Sequence, residues 1–281
     1  MNCFRNILLL AVMSLTVWCL SGCQDDNPID TGQVKPPVVK PSESEIGKPP
    51  RFPEIIRMSV VAVEVPVGQA SGSEEIWSYL DEEPIGAERL VLLGRNGVRV
   101  GLGRDKSMPD IIRVLNRMTG NALGKRLMVG RRGAPHHITL KRNQGIQTIF
   151  NFHADRTLSG DDMPAGDNVL SVVCSVDEND AGRIILTGMP QVRSTKTKTR
   201  FRSDAGGVRI INNQTMFGFR DMMFQMPMKA GEFLVIGPGA ASRRPFSVGR
   251  HFFVDQKQGM DFETVLVITP RAEMLPERPR P

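Results

Sequence analysis

The body of this chain is nearly free of cysteine. Three of its four cysteines fall within the first 23 residues, and only Cys174 lies further on. A disulfide-stapled body is thereby excluded, and a lone cysteine inside "VLSVVCSV" reads as a small buried apolar residue. Two tryptophans and one tyrosine are too few to stack a run of bases, and a net charge of +6 over 281 residues is not the dense basic charge of a nucleic-acid binder. Nucleic acid is not an expected partner. Beyond residue 20 no run approaches the ~20 apolar residues that a membrane-spanning helix needs. Catalytic signatures are missing too. There is no Gly-x-Ser-x-Gly elbow and no Walker loop. In "GLGRDKS" (Gly101 to Ser107) Asp105 replaces the glycine that a phosphate loop places before its lysine, so the segment reads as a strand exit and a helix cap. Of the four histidines, the adjacent His136 and His137 would face opposite sides of a strand. His153 and Asp155 could form half a metal site, with nothing at a suitable spacing to complete it. The chain is expected to be no enzyme and to hold no metal or cofactor.

What is present begins with a leader. Arg5 precedes an apolar run from Ile7 to Leu20, long enough for a secretory signal and short for a membrane span. The run ends in Leu20-Ser21-Gly22-Cys23, followed by Gln24-Asp25-Asp26. This resembles the lipobox of bacterial lipoproteins. The resemblance implies cleavage after residue 22, lipidation of Cys23, and membrane lipid as a partner through that acylated residue. Gln24 in place of aspartate points to the outer membrane, with the periplasmic or surface face left open.

Residues 23–54 are rich in proline and polar side chains and read as a tether that cannot bury enough surface to fold. Residues 55–124 suggest a β-α-β-β-α module. "RMSVVAVEV" alternates as a strand, with Val61, Val63 and Val65 on one face. Ser71 or Ser73 can cap a helix over "SEEIWSYLDE", with Ile76 and Leu80 on one side. In "RLVLLGRNGVRVGL" the Asn96-Gly97 pair predicts a type I′ hairpin between two strands. Ser107-Met-Pro-Asp110 opens a second helix carrying Ile111, Leu115 and Met118. Both helices are expected on one face of a three-stranded sheet.

From residue 125 to 275 short β-rich runs alternate with turn residues and no helix is expected, which predicts an all-β domain. The fold class is therefore α+β: a small β-α-β-β-α module followed by an all-β domain, with residues 276–281 a frayed tail. Asp161-Asp162 reads as a solvated turn. In "RSTKTKTRFR", Lys196, Lys198, Arg200 and Arg202 fall on one strand face. The segment reads as an exposed strand or hairpin arm whose lysines discourage edge pairing; contact with lipid phosphates or acidic glycan is the functional alternative.

The last third also resembles a family. Gly231-Glu232 leads into Phe233-Leu-Val-Ile-Gly237. "RRPFSVGRHFF" contains Pro245 and Gly249, and Glu263 to Arg271 ends in Thr269-Pro270. In that order these segments are similar to the carboxy-terminal domain of bacterial secretins, the ring-forming outer-membrane proteins of secretion and pilus machines. Gly166 and the paired strands around Asp/Asn turn residues fit the same pattern, with Cys174 where the family usually has proline. The resemblance covers about residues 166–271. It implies a reduced secretin-like β-domain, with Pro270 ending the ladder of an inner strand. The role it implies is structural: assembly at the outer membrane as a homo-oligomer or with secretion or pilus components. The alternative is a monomeric binding module for acidic glycan, peptidoglycan or lipid headgroups.

Overall fold

In the computed structural model, residues 55–119, 124–180, 182–204 and 207–273 are described. The leader, Cys23 with its lipobox residues Leu20, Ser21 and Gly22, the tether and the tail lie outside them.

The architecture is α+β and mainly strand. The elements in chain order are β1 (Ile55–Pro66), α1 (Ala87–Arg95), β2 (Val98–Gly103), α2 (Met108–Thr119), β3 (Lys125–Arg131), β4 (Pro135–Gln144) and β5 (Gln147–Phe152). They continue with β6 (Leu158–Met163), β7 (Gly166–Val176), β8 (Arg183–Asp204), β9 (Gly207–Gly218), β10 (Phe224–Lys229) and β11 (Phe233–Pro238). The last are α3 (Val248–Phe253), β12 (Val254–Lys257) and β13 (Met260–Glu273).

One sheet has the order β2-β11-β13-β1-β3, with β12 folding back on β13. A second has the order β10-β8-β7-β4, with β9 also paired to β8. The hairpin β5-β6 stands as a third sheet. Alternation along β1 explains why the first sheet is buried on both faces. Ile56, Met58 and Val60 join a core that also holds Leu170, Leu186 and Met226 of the second sheet, with Phe252 and Phe253 of α3. Val63 and Val65 point the other way and pack with Val235, Val265, Val267 and the α2 stripe of Ile111, Val114 and Leu115. Burying each such side chain contributes about 1.5–3 kcal/mol. A strand with apolar residues on both faces needs a layer on each side, and this sheet has both.

That sheet overturns the expected division at residues 124 and 125. β1 pairs with β13 from Ile55↔Glu273 to Pro66↔Phe262, and β2 pairs with β11. Residues expected in a separate module are thus interleaved with the last strands, and the described residues belong to one compact unit. Ile76 and Trp77 of the segment expected as the first helix do share a cluster with α2, while α1, expected as a strand, sends Leu93 into the opposite core.

Four local expectations are corrected. Residues 89–95 form α1 rather than a hairpin strand, because Leu92 and Leu93 are buried side by side against the core. Asn96-Gly97 then closes the helix, with Gly97 at φ +78° and its N–H donating to the Gly94 carbonyl. Left-handed glycine serves a helix end as well as a hairpin. The helix expected over residues 73–82 is reduced to a single 3₁₀ turn at Trp77–Tyr79. Residues 248–253, read as strand, form α3, capped by the Ser247 hydroxyl accepting from the Arg250 N–H. Pro270 does not end its ladder, since β13 continues to Glu273 opposite Ile55. β11 pairs with β13 only as far as Ile268, so Pro270 sits where one flank is open and a missing donor is tolerated.

Candidate functional site

The hub of the molecule is Asn96-Gly97. Asn96 is fully buried. Its side-chain amide donates to the carbonyls of Leu92 (3.0 Å) and Phe152 (2.9 Å), and its Oδ1 accepts from the Phe152 N–H (2.8 Å). The Asn96 carbonyl accepts from Gly249, and that of Gly97 from Gly239. A Cβ on Gly249 would lie 1.9 Å from the Gly97 oxygen, so only glycine lets α3 approach this turn. Gly249 of the secretin-like motif thus has a packing role.

Asn96 also fixes the start of the turn that leaves β5. The His153 N–H donates to the Thr157 carbonyl (2.9 Å), and Asp155 Oδ1 accepts from the Thr157 N–H (3.0 Å) and hydroxyl (2.7 Å). Arg156 adopts φ +70°, completing the reversal into β6. This turn brings His153 and Ser159 together: His153 Nε2 is 2.6 Å from Ser159 Oγ. On the other side of the ring, His153 Nδ1 is 2.5 Å from Asp221 Oδ2. A carboxylate only accepts, so Nδ1 carries a proton, and in the neutral imidazole Nε2 accepts from the serine hydroxyl. Asp221 lies in the 3₁₀ turn Arg220–Met222, anchored by the fully buried Met222 and by Arg89 Nη1 donating to the Asp221 carbonyl. His153 and Asp221 are both partly exposed, at 29% and 39%, so the pair is reachable from solvent.

His153 forms one wall of an open cleft of about 1000 Å³ between this turn and α1, lined also by Glu88, Arg89, Val91, Arg95 and Arg156. Among the described residues the guanidinium groups of Arg95 and Arg156 have no hydrogen-bond or ion-pair partner.

His153 and Asp155 were expected to offer half a metal site; instead Asp155 holds the turn while Ser159 and Asp221 take the imidazole. The Asp-Arg-Thr turn after His153 was the readable signal for the serine. Asp161 and Asp162 lie on strand β6, not in a turn. Among the described residues no three His, Cys, Asp or Glu side chains are placed to hold a metal.

The other motif residues are scattered through the scaffold. Gly231, at φ +86°, turns β10 into β11, and Glu232 closes that turn by accepting from the Lys229 N–H (2.7 Å). Gly237 is buried in β11 beside Trp77, and Thr269 pairs with Ser59. Pro245 borders a small apolar groove with Phe150, Phe152 and Phe246. In the basic strand, Lys196 is exposed and its N–H donates to Ser194 Oγ (3.1 Å). Register sets Lys198 opposite Asn213, Arg200 opposite Ile211 and Arg202 opposite Arg209; their side chains lie outside the described residues.

Burial perturbs several titratable groups elsewhere in the fold. Burial pushes the Cys174 thiol up to about 12, leaving it unreactive. Burial, then repulsion from Lys141, holds His251 below its ordinary value. Burial, then Arg193 and His136, does the same for His137.

No protein-family profile matches the chain, and no curated protein matches it. Among solved structures, the chain is similar to the V. cholerae type IV competence pilus secretin PilQ at 11% sequence identity. That match spans 79% of this chain and 58% of that one, with a TM-score of 0.21. A likeness this low carries no argument about either fold or function. No helix among the described residues is long and apolar enough to cross a membrane, which says nothing of crossing by strands.

Proposed function

We propose that this chain is a lipid-anchored structural protein of the cell envelope that assembles with further copies of itself at the outer membrane, within a secretion or pilus apparatus. The observation that carries this reading is the β8-β9 arm. β8 runs from Arg183 to Asp204, but its pairing with β7 stops at Ser194 and its pairing with β10 at Gly188. Beyond Ser194, among the described residues, it pairs with β9 alone. At about 3.3 Å per residue the ribbon extends roughly 33 Å past the sheet. A two-stranded ribbon on its own is marginally stable in water, and the edge of such a ribbon is a template for pairing with another strand. Strand addition from a neighbouring copy would widen the ribbon into a sheet, and the same contact repeated about an axis closes a ring. The lipobox at Leu20 to Cys23 supports the anchor, and the ordered secretin-like motifs from Gly231 to Pro270 support the apparatus.

The test is the native mass of the chain extracted in mild detergent. A discrete particle of many copies is expected, reduced to single chains when residues 196–213 are replaced by a short turn. A single chain plus detergent from the unaltered protein would overturn assembly. In the same preparation, Cys23→Ser should leave the membrane fraction, and retention there would overturn the anchor.

A further inference from the structure

The Ser159–His153–Asp221 relay has no part in that assembly reading and stands independently of it. Its geometry exceeds what holding a hairpin requires. Asn96 already clasps Phe152 from both sides and Asp155 already closes the turn, so the backbone does not depend on the imidazole. The ring is nonetheless held by two short hydrogen bonds, with a carboxylate on Nδ1 and a hydroxyl on Nε2. That is the ordering of groups that activates a serine: a base within reach of the hydroxyl, and a third group fixing the base's tautomer and stabilising its cation. The cleft beside it offers the unpartnered Arg95 and Arg156 and one carboxylate, Glu88, a surplus of positive charge that favours an anionic guest.

We propose that this relay hydrolyses small esters that carry a carboxylate or phosphate group, with Ser159 as nucleophile, His153 as general base and acid, and Asp221 as the positioning residue. The Ser159 Oγ bonds to the acyl carbon while its proton passes to His153 Nε2. The ester C–O bond breaks and the alcohol leaves with that proton. A water then attacks the acyl-enzyme, giving its proton to Nε2, and the acid departs as Oγ is reprotonated. Ester and water become acid and alcohol, with no oxidant or cofactor consumed. Arg156, on the same turn as His153, and Arg95, on the last turn of α1, hold the anionic group. This departs from the expectation of a non-enzymatic chain.

The test uses the full mature chain in detergent with a fluorophosphonate probe, which phosphonylates an activated serine with loss of fluoride, and peptide mass mapping to locate the adduct. The expected adduct is on Ser159, absent in Ser159→Ala and formed about 10²-fold more slowly in His153→Gln and Asp221→Asn, the loss typical of removing general-base assistance. Unchanged urea midpoints establish that the variants fold. Folded wild-type protein without an adduct on Ser159, or an adduct forming equally fast in His153→Gln, would overturn the relay. For the substrate class, mono-4-nitrophenyl succinate is compared with 4-nitrophenyl acetate. Arg156→Gln should raise KM for the charged ester about 10-fold more than for the neutral one, the order of a single lost ion-paired hydrogen bond. Equal effects on the two esters would overturn the anionic preference. Because the chain is assayed whether or not it assembles, a failed relay and a failed assembly give separate results.

Discussion

Glu263 is fully buried, and among the described residues it has no counter-cation. Its Oε2 accepts from the N–H groups of Ala70 (2.9 Å) and Ser71 (3.0 Å), and its Oε1 from the Ser71 hydroxyl (2.5 Å). This one carboxylate fastens the loop after β1 to strand β13, and Trp77 completes the fastening by donating from Nε1 to the Ala70 carbonyl (2.9 Å). Glu263→Leu keeps the volume and removes every acceptor. Two backbone donors are then stranded in an apolar core, at about 1–3 kcal/mol each, while the Ser71 hydroxyl can rotate toward another acceptor. A loss of about 4 kcal/mol is expected. Glu263→Gln retains one carbonyl oxygen for the two N–H groups and can turn its NH₂ toward Ser71, so it forfeits only the charge assistance, about 2 kcal/mol. Urea denaturation of the chain carrying Cys23→Ser measures both. With Trp18→Phe added, Trp77 reports the loop itself, since these two are the chain's tryptophans. Its emission should shift to the red in Glu263→Leu before the global transition. A cost under about 1 kcal/mol for the leucine variant, or a Trp77 signal that moves only with global unfolding, would refute the account.

Two further substitutions test the scaffold. Burial pushes the Lys141 ammonium down to about 8, with Asp255 opposing and Arg250 adding to the effect. Below that pH the group is charged in both states and the native state bears the burial penalty. Between about 8 and lysine's ordinary value of about 10.4 the unfolded chain binds more protons, so stability rises with pH. Lys141→Met should therefore stabilise the chain at pH 7 by up to about 3 kcal/mol, with the gain shrinking toward pH 10.5; urea midpoints at the two pH values measure it, and a gain that does not change with pH would contradict the cause. Gly249→Ala forces a Cβ to within 1.9 Å of the Gly97 oxygen. It should cost about 3 kcal/mol by displacing α3 from the Asn96-Gly97 turn, and an alanine variant with an unchanged midpoint would remove that contact from the argument.

Much of the fold was legible where one element carries its own period. The alternating valines of β1 and the stripe of Ile111, Leu115 and Met118 on α2 gave both elements and their buried faces. The β7-β8 hairpin was readable from its Asp/Asn turn, where Asp177 Oδ1 accepts from the Asn179 N–H. What failed was short or decided at a distance. Leu90 to Leu93 are four apolar residues in a row, which no period assigns to helix or strand, and the Asn-Gly that follows suits either outcome. α3 has six residues, too few for a helical pattern, and is set by its approach to Gly97. The division into module and β-domain failed because sequence order says nothing of strand order, and β13 inserted itself between β1 and β11.

The polar sites divide in the same way. Asp221 is 68 residues from His153, and nothing in "FRDMM" announces it. Glu263 was different, because its signal was present and unread. It precedes Val265 and Val267 at a spacing of two, so in a strand it must face the same way as they do. Those valines are buried, and a carboxylate on a buried face needs donors. The residues able to supply them had to lie on whatever covers that face, and the Gly-Ser-rich loop ahead of Trp77, with its free backbone N–H groups, was the candidate. That inference needs only parity and the cost of an unpaired charge.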